Sequence, residues 1–125
     1  MVYVNPDIAA TALGNPHFRR VLETGEHLQL VVMTVPPGEE IGTEVHDGID
    51  QTLVFVSGSG AADLDGETTA VGPGALVLVP AGTNHNVRNT GSEPLALYTL
   101  YSPPEHAPGT VHRTKAEADA AEHSS

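Results

Sequence analysis

The stretch Gly74-Ala75-Leu76-Val77-Leu78-Val79-Pro80-Ala81-Gly82-Thr83-Asn84-His85-Asn86-Val87-Arg88-Asn89 decides the fold of this chain. Its first half is a branched apolar run of strand length. Pro80-Ala81-Gly82 then stops that run with the residue types that form tight turns. A second short strand begins at His85, so the stretch reads as strand, turn, strand, with a histidine just past the turn. The same pattern repeats outward in both directions. Strands are predicted over residues 27–35, 43–46, 51–57, 60–64, 67–71, 75–79, 85–89 and 95–101. Asp47-Gly48, Ser57-Gly58, Asp65-Gly66, Gly72-Pro73-Gly74 and Thr90-Gly91 punctuate them. Asp65-Gly66 is a strong two-residue hairpin signal. Short strands at this spacing describe a small antiparallel sandwich or barrel. Within 27–35, Gln29, Val31 and Met33 share one face, and Leu28, Leu30 and Val32 share the other.

The ends read differently. Asp7 caps a short helix over residues 9–13, and Gly14-Asn15-Pro16 ends it. Ser102-Pro103-Pro104 closes the last strand. Thr114-Lys115-Ala116-Glu117 has the form of a capping box and opens an alanine-rich helix over 115–122, with a frayed end at 122–125. The organisation expected is an arm over 1–26, a barrel over 27–102, and a C-terminal loop with a short helix over 103–125.

Composition narrows the function. The chain has 125 residues, 39% of them hydrophobic, which suits one domain with a real core. Sixteen acidic residues stand against Arg19, Arg20, Arg88, Arg113 and Lys115, giving a net charge of −11. No basic stripe exists to displace counterions, so nucleic acid is excluded as a partner, and an anionic membrane with it. There are no cysteines, which excludes disulfides, thiol catalysis and Cys-ligated metal. That fits a reducing compartment, and a cytoplasmic location is expected. No apolar run approaches the roughly 18 residues of a membrane span. The N-terminus lacks the basic region of a secretory signal.

Four polar residues could converge. Glu44 and His46 are two apart and share a strand face. Asp47-Gly48-Ile49-Asp50 is long enough to turn Gln51 back beside His46, and His85 follows the Pro80-Ala81-Gly82 turn. Each residue alone is ordinary, since such side chains are mostly exposed or hydrogen-bonded. Buried together, a carboxylate and two imidazoles cost several kcal/mol unless paired or metal-bound. Two imidazole nitrogens, a carboxylate oxygen and an amide oxygen suit one divalent transition metal: Mn, Fe, Co, Ni or Zn.

Two stretches resemble the signature motifs of the cupin superfamily. The first has Gly38, five residues, Glu44-Val45-His46, four residues, Gln51, six residues and Gly58. The second has Gly74, five residues, Pro80-Ala81-Gly82, two residues, His85, three residues and Asn89. The second match is complete. The first keeps every spacing but places Glu44 where the family has its first His, and Gln51 where it has Glu. The resemblance covers roughly residues 29–101. It implies an all-β, double-stranded β-helix (jelly-roll) barrel with a metal in its mouth, held by Glu44, His46, Gln51 and His85. Both replacements are oxygen donors, and Glu44 restores the carboxylate that Gln51 lacks.

By alternation Gln29, Val31, Met33, Leu53, Phe55, Val87 and Tyr98 are candidates to line the pocket, with Gln29, Met33, Phe55 and Tyr98 carrying the expectation of substrate contact. Tyr98 or Tyr101 is placed to offer a hydroxyl. Asn89 is expected to close a turn, Glu39 and Glu40 to be solvated, and His27, His106 and His112 to be exposed. Gly58, Gly74 and Gly82 are expected to serve turns with unusual φ.

Three functions stay open. The first is an enzyme using the metal as a Lewis acid, with Glu44 moving a proton in isomerase-like chemistry. The chain also looks like small bacterial cupins described as mannose-6-phosphate isomerase-like. A phosphosugar needs Arg or Lys near the site, however; Arg88 is turned outward and Arg19 and Arg20 are unplaced, so a neutral polyol-like substrate is expected. The second is a metal-dependent dioxygenase, and the third a non-catalytic small-molecule-binding module. Cupins of this size commonly pair their sheets, so a homodimer is expected.

Overall fold

Along residues 50–57 every second side chain is buried: Gln51, Leu53 and Phe55 point inward while Asp50, Thr52 and Val54 do not. That alternation sets the architecture. The computed structural model describes residues 2–123. These form α1 (Ile8–Leu13), β1 (Arg19–Thr24), β2 (Gln29–Val35), β3 (Asp50–Ser57), β4 (Gly60–Leu64), β5 (Glu67–Val71), β6 (Leu76–Val79), β7 (His85–Asn89), β8 (Leu95–Ser102), β9 (Val111–His112) and α2 (Lys115–His123). A six-stranded sheet in the order β6-β3-β8-β2-β1-β9 faces a three-stranded sheet, β5-β4-β7. All pairings are antiparallel.

Register carries inward residues in rows across the large sheet. Met33, Leu97 and Phe55 form one row, and Gln29, Tyr101, Gln51 and Val79 form another. The apolar rows meet Ala62, Val71 and Val87 of the small sheet in one core. Each fully buried side chain of this size contributes roughly 1.5–3 kcal/mol. The helix α1 packs on β8, β2 and β3. Its N-cap Asp7 accepts from the Ala10 amide at 3.1 Å, and Ala12 is buried. Val32, on the opposite face of β2 from Met33, is fully buried as well. In α2, Thr114 Oγ1 accepts from the Glu117 amide at 3.1 Å, and Glu117 reaches back to the Arg113 amide, also at 3.1 Å. Ser124 and Ser125, part of the end expected to fray, lie outside the described residues. No helix among the described residues is long and apolar enough to cross a membrane.

Three expectations are corrected. The stretch 1–26 is not merely an arm, because β1 pairs with β2 and places Phe18 and Val21 at the core. Its strand period is masked by Arg19, Arg20 and Glu23, and by a register shift between Val21 and Glu23. The two-residue β9, within a segment read as loop, pairs with the outer edge of β1. Residues 43–46 are not a regular strand. The chain here follows β7 through isolated bridges, Glu40 with Arg88 and Glu44 with His85. Gly42, at φ +109°, breaks the ladder between them, and its amide donates to Asn86 Oδ1 at 2.8 Å instead of to a main-chain carbonyl.

Elsewhere the turn chemistry is as expected. Asn89 is buried and closes the β7–β8 connection, donating to the Val35 and Glu93 carbonyls and accepting from the Gly91 amide. Gly58 sits at φ +94°, and a Cβ there would lie 2.6 Å from the Pro94 oxygen, so no other residue fits.

Two polar contacts hold the ends of the barrel. Gln29 is fully buried, and its amide is saturated. Its Nε2 donates to Thr24 Oγ1 and the His106 carbonyl, and its Oε1 accepts from the Glu105 and His106 amides. Gln29 thus clamps the segment 105–106 against the barrel. Across the small sheet, Arg88 donates to both carboxylate oxygens of Asp63, at 2.8 and 3.1 Å. This hydrogen bond, helped by one from Thr68, holds the Asp63 carboxyl down at about 2.

Replacing Gln29 by Leu leaves two amides and a carbonyl without partners, an expected cost on the order of 2–3 kcal/mol. In hydrogen exchange the amides of Glu105 and His106 should lose protection before those of β2 and β8; unchanged protection of 105–106 would contradict the clamp. The Asp63 pairing acts through pH. A carboxyl lowered on folding stabilises above its ordinary value near 3.8, and that stabilisation fades as pH falls toward 2. The pair is partly exposed. Asp63→Asn should therefore lower Tm by only about a degree or two at pH 7, with the difference closing between about pH 4 and pH 2 in parallel melting curves.

Candidate metal centre

Two main-chain hydrogen bonds bring the site together. The Glu44 amide donates to the His85 carbonyl at 2.8 Å, and the His85 amide donates to the Glu44 carbonyl at 2.9 Å. Residues facing across such an antiparallel pair project to one side, and His46, two residues on, joins them. The His46 and His85 rings stand 5.3 Å apart. The two turns that deliver them interlock: the Gly82 amide donates to the His46 carbonyl at 3.0 Å, and the Ala81 amide to Asp50 Oδ1 at 2.9 Å. Gln51 then enters from β3, in the inward row with Tyr101.

The outer atoms of these side chains determine what their inner atoms present. His85 Nδ1 lies 2.9 Å from the Thr83 carbonyl, which only accepts, so Nδ1 carries a hydrogen and, in the neutral ring, the lone pair is on Nε2. His46 Nδ1 faces the Glu105 carboxylate at 3.6 Å, while Nε2 is buried with no hydrogen-bond partner, 3.4 Å from Glu44 Oε2. Thr99 donates its hydroxyl hydrogen to the Thr52 carbonyl and so can only accept from Gln51, which it does at 3.0 Å. That fixes the Gln51 amide with Nε2 toward Thr99 and Oε1 inward, buried and without a partner. Among the described residues no three His, Asp or Glu side chains are arranged to hold an ion by themselves. What stands together is a pair of imidazoles and a partly exposed carboxylate, with the buried Gln51 amide oxygen directed inward from β3.

A second cluster adjoins the first and was missed in the sequence. Tyr101, rather than Tyr98, turns inward, with its ring edge-on to His46 at 5.9 Å and to His106 at 5.2 Å. Burial pushes its hydroxyl far above the ordinary tyrosine range, with the Arg19 charge working in the other direction. His106, expected in solvent, is held down to about 3, first by burial and then by the charge of Arg19. His112, also expected in solvent, meets Arg19 Nη1 through Nδ1 at 3.3 Å. Arg19 itself is only 2% exposed. The buried side-chain atoms without partners among the described residues are Arg19 Nε, His46 Nε2, Gln51 Oε1 and His106 Nε2. All four belong to these two adjoining clusters.

The expected pocket residues are distributed differently. Tyr98 pairs with Val32 and Val54 on the face away from the core, so the expected alternation was one residue out. Met33 and Phe55 are fully buried in the core, and Gln29 is the clamp already described. Arg88 is turned outward onto Asp63, as expected. The signal for Arg19 was present but weak: it faces Met33 across the β1–β2 ladder, and recognising that requires recognising β1 first.

Comparison with known proteins agrees with this architecture. Residues 31–101 match the family model described as a cupin domain. The crystal structure of BH2720 from Bacillus halodurans superposes with a TM-score of 0.94 at 43% identity, covering 96% of this chain and 95% of that one. The uncharacterized protein YrkC of Bacillus subtilis is 44% identical over 114 residues, 86% of this chain; the match spans 61% of YrkC. Mannose-1-phosphate guanylyltransferase ManC of Salmonella typhimurium is more distant, 30% identical over 81 residues, and the match spans only 17% of that enzyme. With its family model, its jelly-roll sheets and its two spaced motifs in agreement, this chain belongs to the cupin family.

Proposed function

We propose that this cupin holds one divalent transition metal on His46, Gln51, His85 and Glu44, and assists isomerase-like proton transfer on a small oxygenated substrate. The observation that carries the reading is the pairing of engaged outer atoms with orphaned inner ones. His46 Nε2 and Gln51 Oε1 are buried without partners, while His46 Nδ1 and Gln51 Nε2 face Glu105 and Thr99. His85 follows the same logic through Thr83. A carbonyl or carboxylate behind each imidazole is the usual support of a metal-ligating histidine. The donor set suits Mn, Fe, Co, Ni or Zn.

Such an ion supplies Lewis acidity to a carbonyl or hydroxyl oxygen. The chain's own residues supply the rest. Glu44 combines closeness to His46 with a partly exposed carboxylate, so it can take a proton from a substrate in the mouth and return it. Tyr101, kept protonated by burial, offers a neutral hydroxyl beside His46. Sheet and core exclude water from one side.

Protein prepared without chelator should carry about one equivalent of a first-row metal by elemental analysis, and chelator should lower Tm by several degrees. His85→Ala and Gln51→Leu should each weaken metal affinity at least tenfold. Negligible metal in the wild type, with a Tm indifferent to chelator and to added metal, overturns the proposal. Substrate-dependent oxygen uptake by the iron-loaded protein would replace proton transfer with an oxygenase reaction at the same residues.

We also propose a homodimer formed through the large sheet. Leu76 and Leu78 stand exposed on its edge strand β6, where an unpaired apolar edge invites association. Light scattering should give twice the chain mass, and a Leu76→Asp, Leu78→Asp double variant should give the monomer mass. A wild-type monomer at high concentration refutes this.

A further inference from the structure

We infer that Arg19 receives the carboxylate of the substrate, so that the small oxygenated molecule handled here is an organic acid. This rests on the proposed function for the site as a whole, but the contact at Arg19 stands on its own geometry. Arg19 lies in the row of inward residues with Met33 and is 2% exposed. Its Nη1 meets His112 Nδ1, a ring nitrogen and not a carboxylate, the Tyr101 hydroxyl also touches the guanidinium, and its Nε is buried without any partner. The other cations differ. Arg88 is paired with Asp63, Arg113 with Glu117 and Lys115 with Asp119, and Arg20 is exposed. Among the described residues no carboxylate lies within ion-pair distance of the Arg19 guanidinium.

That is an unusual economy in a chain with sixteen acidic residues. A buried guanidinium lacking an acid is costly, and the protein had every opportunity to place one beside it. A ligand that brings its own carboxylate removes the cost each time it binds. The surroundings provide room for it. Arg19 lines a cleft of about 220 Å³ together with Gly42, Thr43 and Glu44. It also lines a second cleft, of about 400 Å³, with Glu105, His106 and His112. An acid anchored on Arg19 in the first cleft therefore shares that space with the carboxylate proposed to move the proton. The charge balance favours a carboxylate over a phosphate. Lys115 also lines the first cleft but is paired there with Asp119, so the Arg19 guanidinium, with Glu44 and Glu105 lining the same two clefts, matches a monoanion better than a dianion. The fork of donors on a guanidinium also matches two carboxylate oxygens.

The test uses metal-stripped wild-type protein, so that its outcome does not depend on the metal. Glycolate and pyruvate are titrated while the Arg19 Nε–H resonance is followed by NMR, with inorganic phosphate and neutral glycerol as comparisons. The expected result is a saturable shift of that resonance with glycolate or pyruvate, at least tenfold weaker with phosphate and absent with glycerol. Arg19→Gln should weaken carboxylate binding at least tenfold by calorimetry. Arg19→Lys keeps the charge and should retain a measurable part, which separates loss of the anchor from loss of the fold. His46→Ala, stripped of metal, should bind the acid as the wild type does. A resonance that stays fixed at saturating carboxylate means that water satisfies Nε, and overturns the inference. Equal or tighter binding of phosphate overturns the choice of a carboxylate. Loss of metal binding with the Arg19 contact intact would count against the proposed metal chemistry alone.

Discussion

The reciprocal pair of main-chain hydrogen bonds between Glu44 and His85 is the constraint on which the site depends. Between β2 and β3 the chain is not held in a regular strand, and two isolated bridges carry it along β7. The first, at Glu40, only aligns the segment. The second brings Glu44 to face His85 and leaves His46 to follow two residues later. Gly42 allows the excursion between them, because its positive φ and its bond to the Asn86 side chain let the chain leave the ladder and rejoin it. A regular ladder through this segment would impose the strict alternation of a strand. Here a break placed before Glu44 lets the two halves of the site be set independently.

Around that seam, hydrogen bonds made on the far side of each polar side chain decide what its near side offers. Thr99 orients Gln51 only because its own hydrogen is committed to Thr52. Thr83 selects the tautomer of His85. Such networks favour the fold when complete and oppose it when partial, since each buried orphan costs about 1–3 kcal/mol. Four orphans in one region are too many to attribute to careless packing in a barrel where other buried amides, such as Gln29 and Asn89, are thoroughly bonded. The polarity left open is concentrated where a cation and an acid would complete it.

The strands of the barrel were legible because their signals are local. Asp65-Gly66 and Pro80-Ala81-Gly82 mark turns, and the runs between them are short and branched. The elements with charged or broken patterns were not legible. In β1, Arg19 and Glu23 disguise a strand that a bulge also knocks out of period. The pair Val111–His112 is too short to carry any pattern. The four residues proposed as ligands were found through fixed spacing, which survives even where Glu44 and Gln51 change the chemistry. Arg19, Glu105, His106 and His112 escaped because they come from the two ends of the chain and meet only through packing. Sequence alone does not separate Tyr98 from Tyr101, because an eight-residue strand offers both parities and only the ladder to β2 selects between them.

The charge of the chain takes on a different meaning once Arg19 is placed. Read as composition, −11 argues against polyanions and against a phosphorylated substrate. Read with the structure, five of the sixteen acidic residues fall into two groups. Asp63, Glu117 and Asp119 are spent on Arg88, Arg113 and Lys115, while Glu44 and Glu105 flank His46. A cation on the Nε2 side of His46, beside Glu44, would be favoured by both carboxylates, and an anion there would be repelled unless a positive group lay within contact. Arg19 is such a group, and burial protects it from the screening that weakens exposed charges. A negative field that attracts the metal and a single buried cation that admits one acid group are compatible, because the first acts across the mouth and the second only at contact. Net charge alone could not reveal this, since it adds together groups whose effects depend on where they stand.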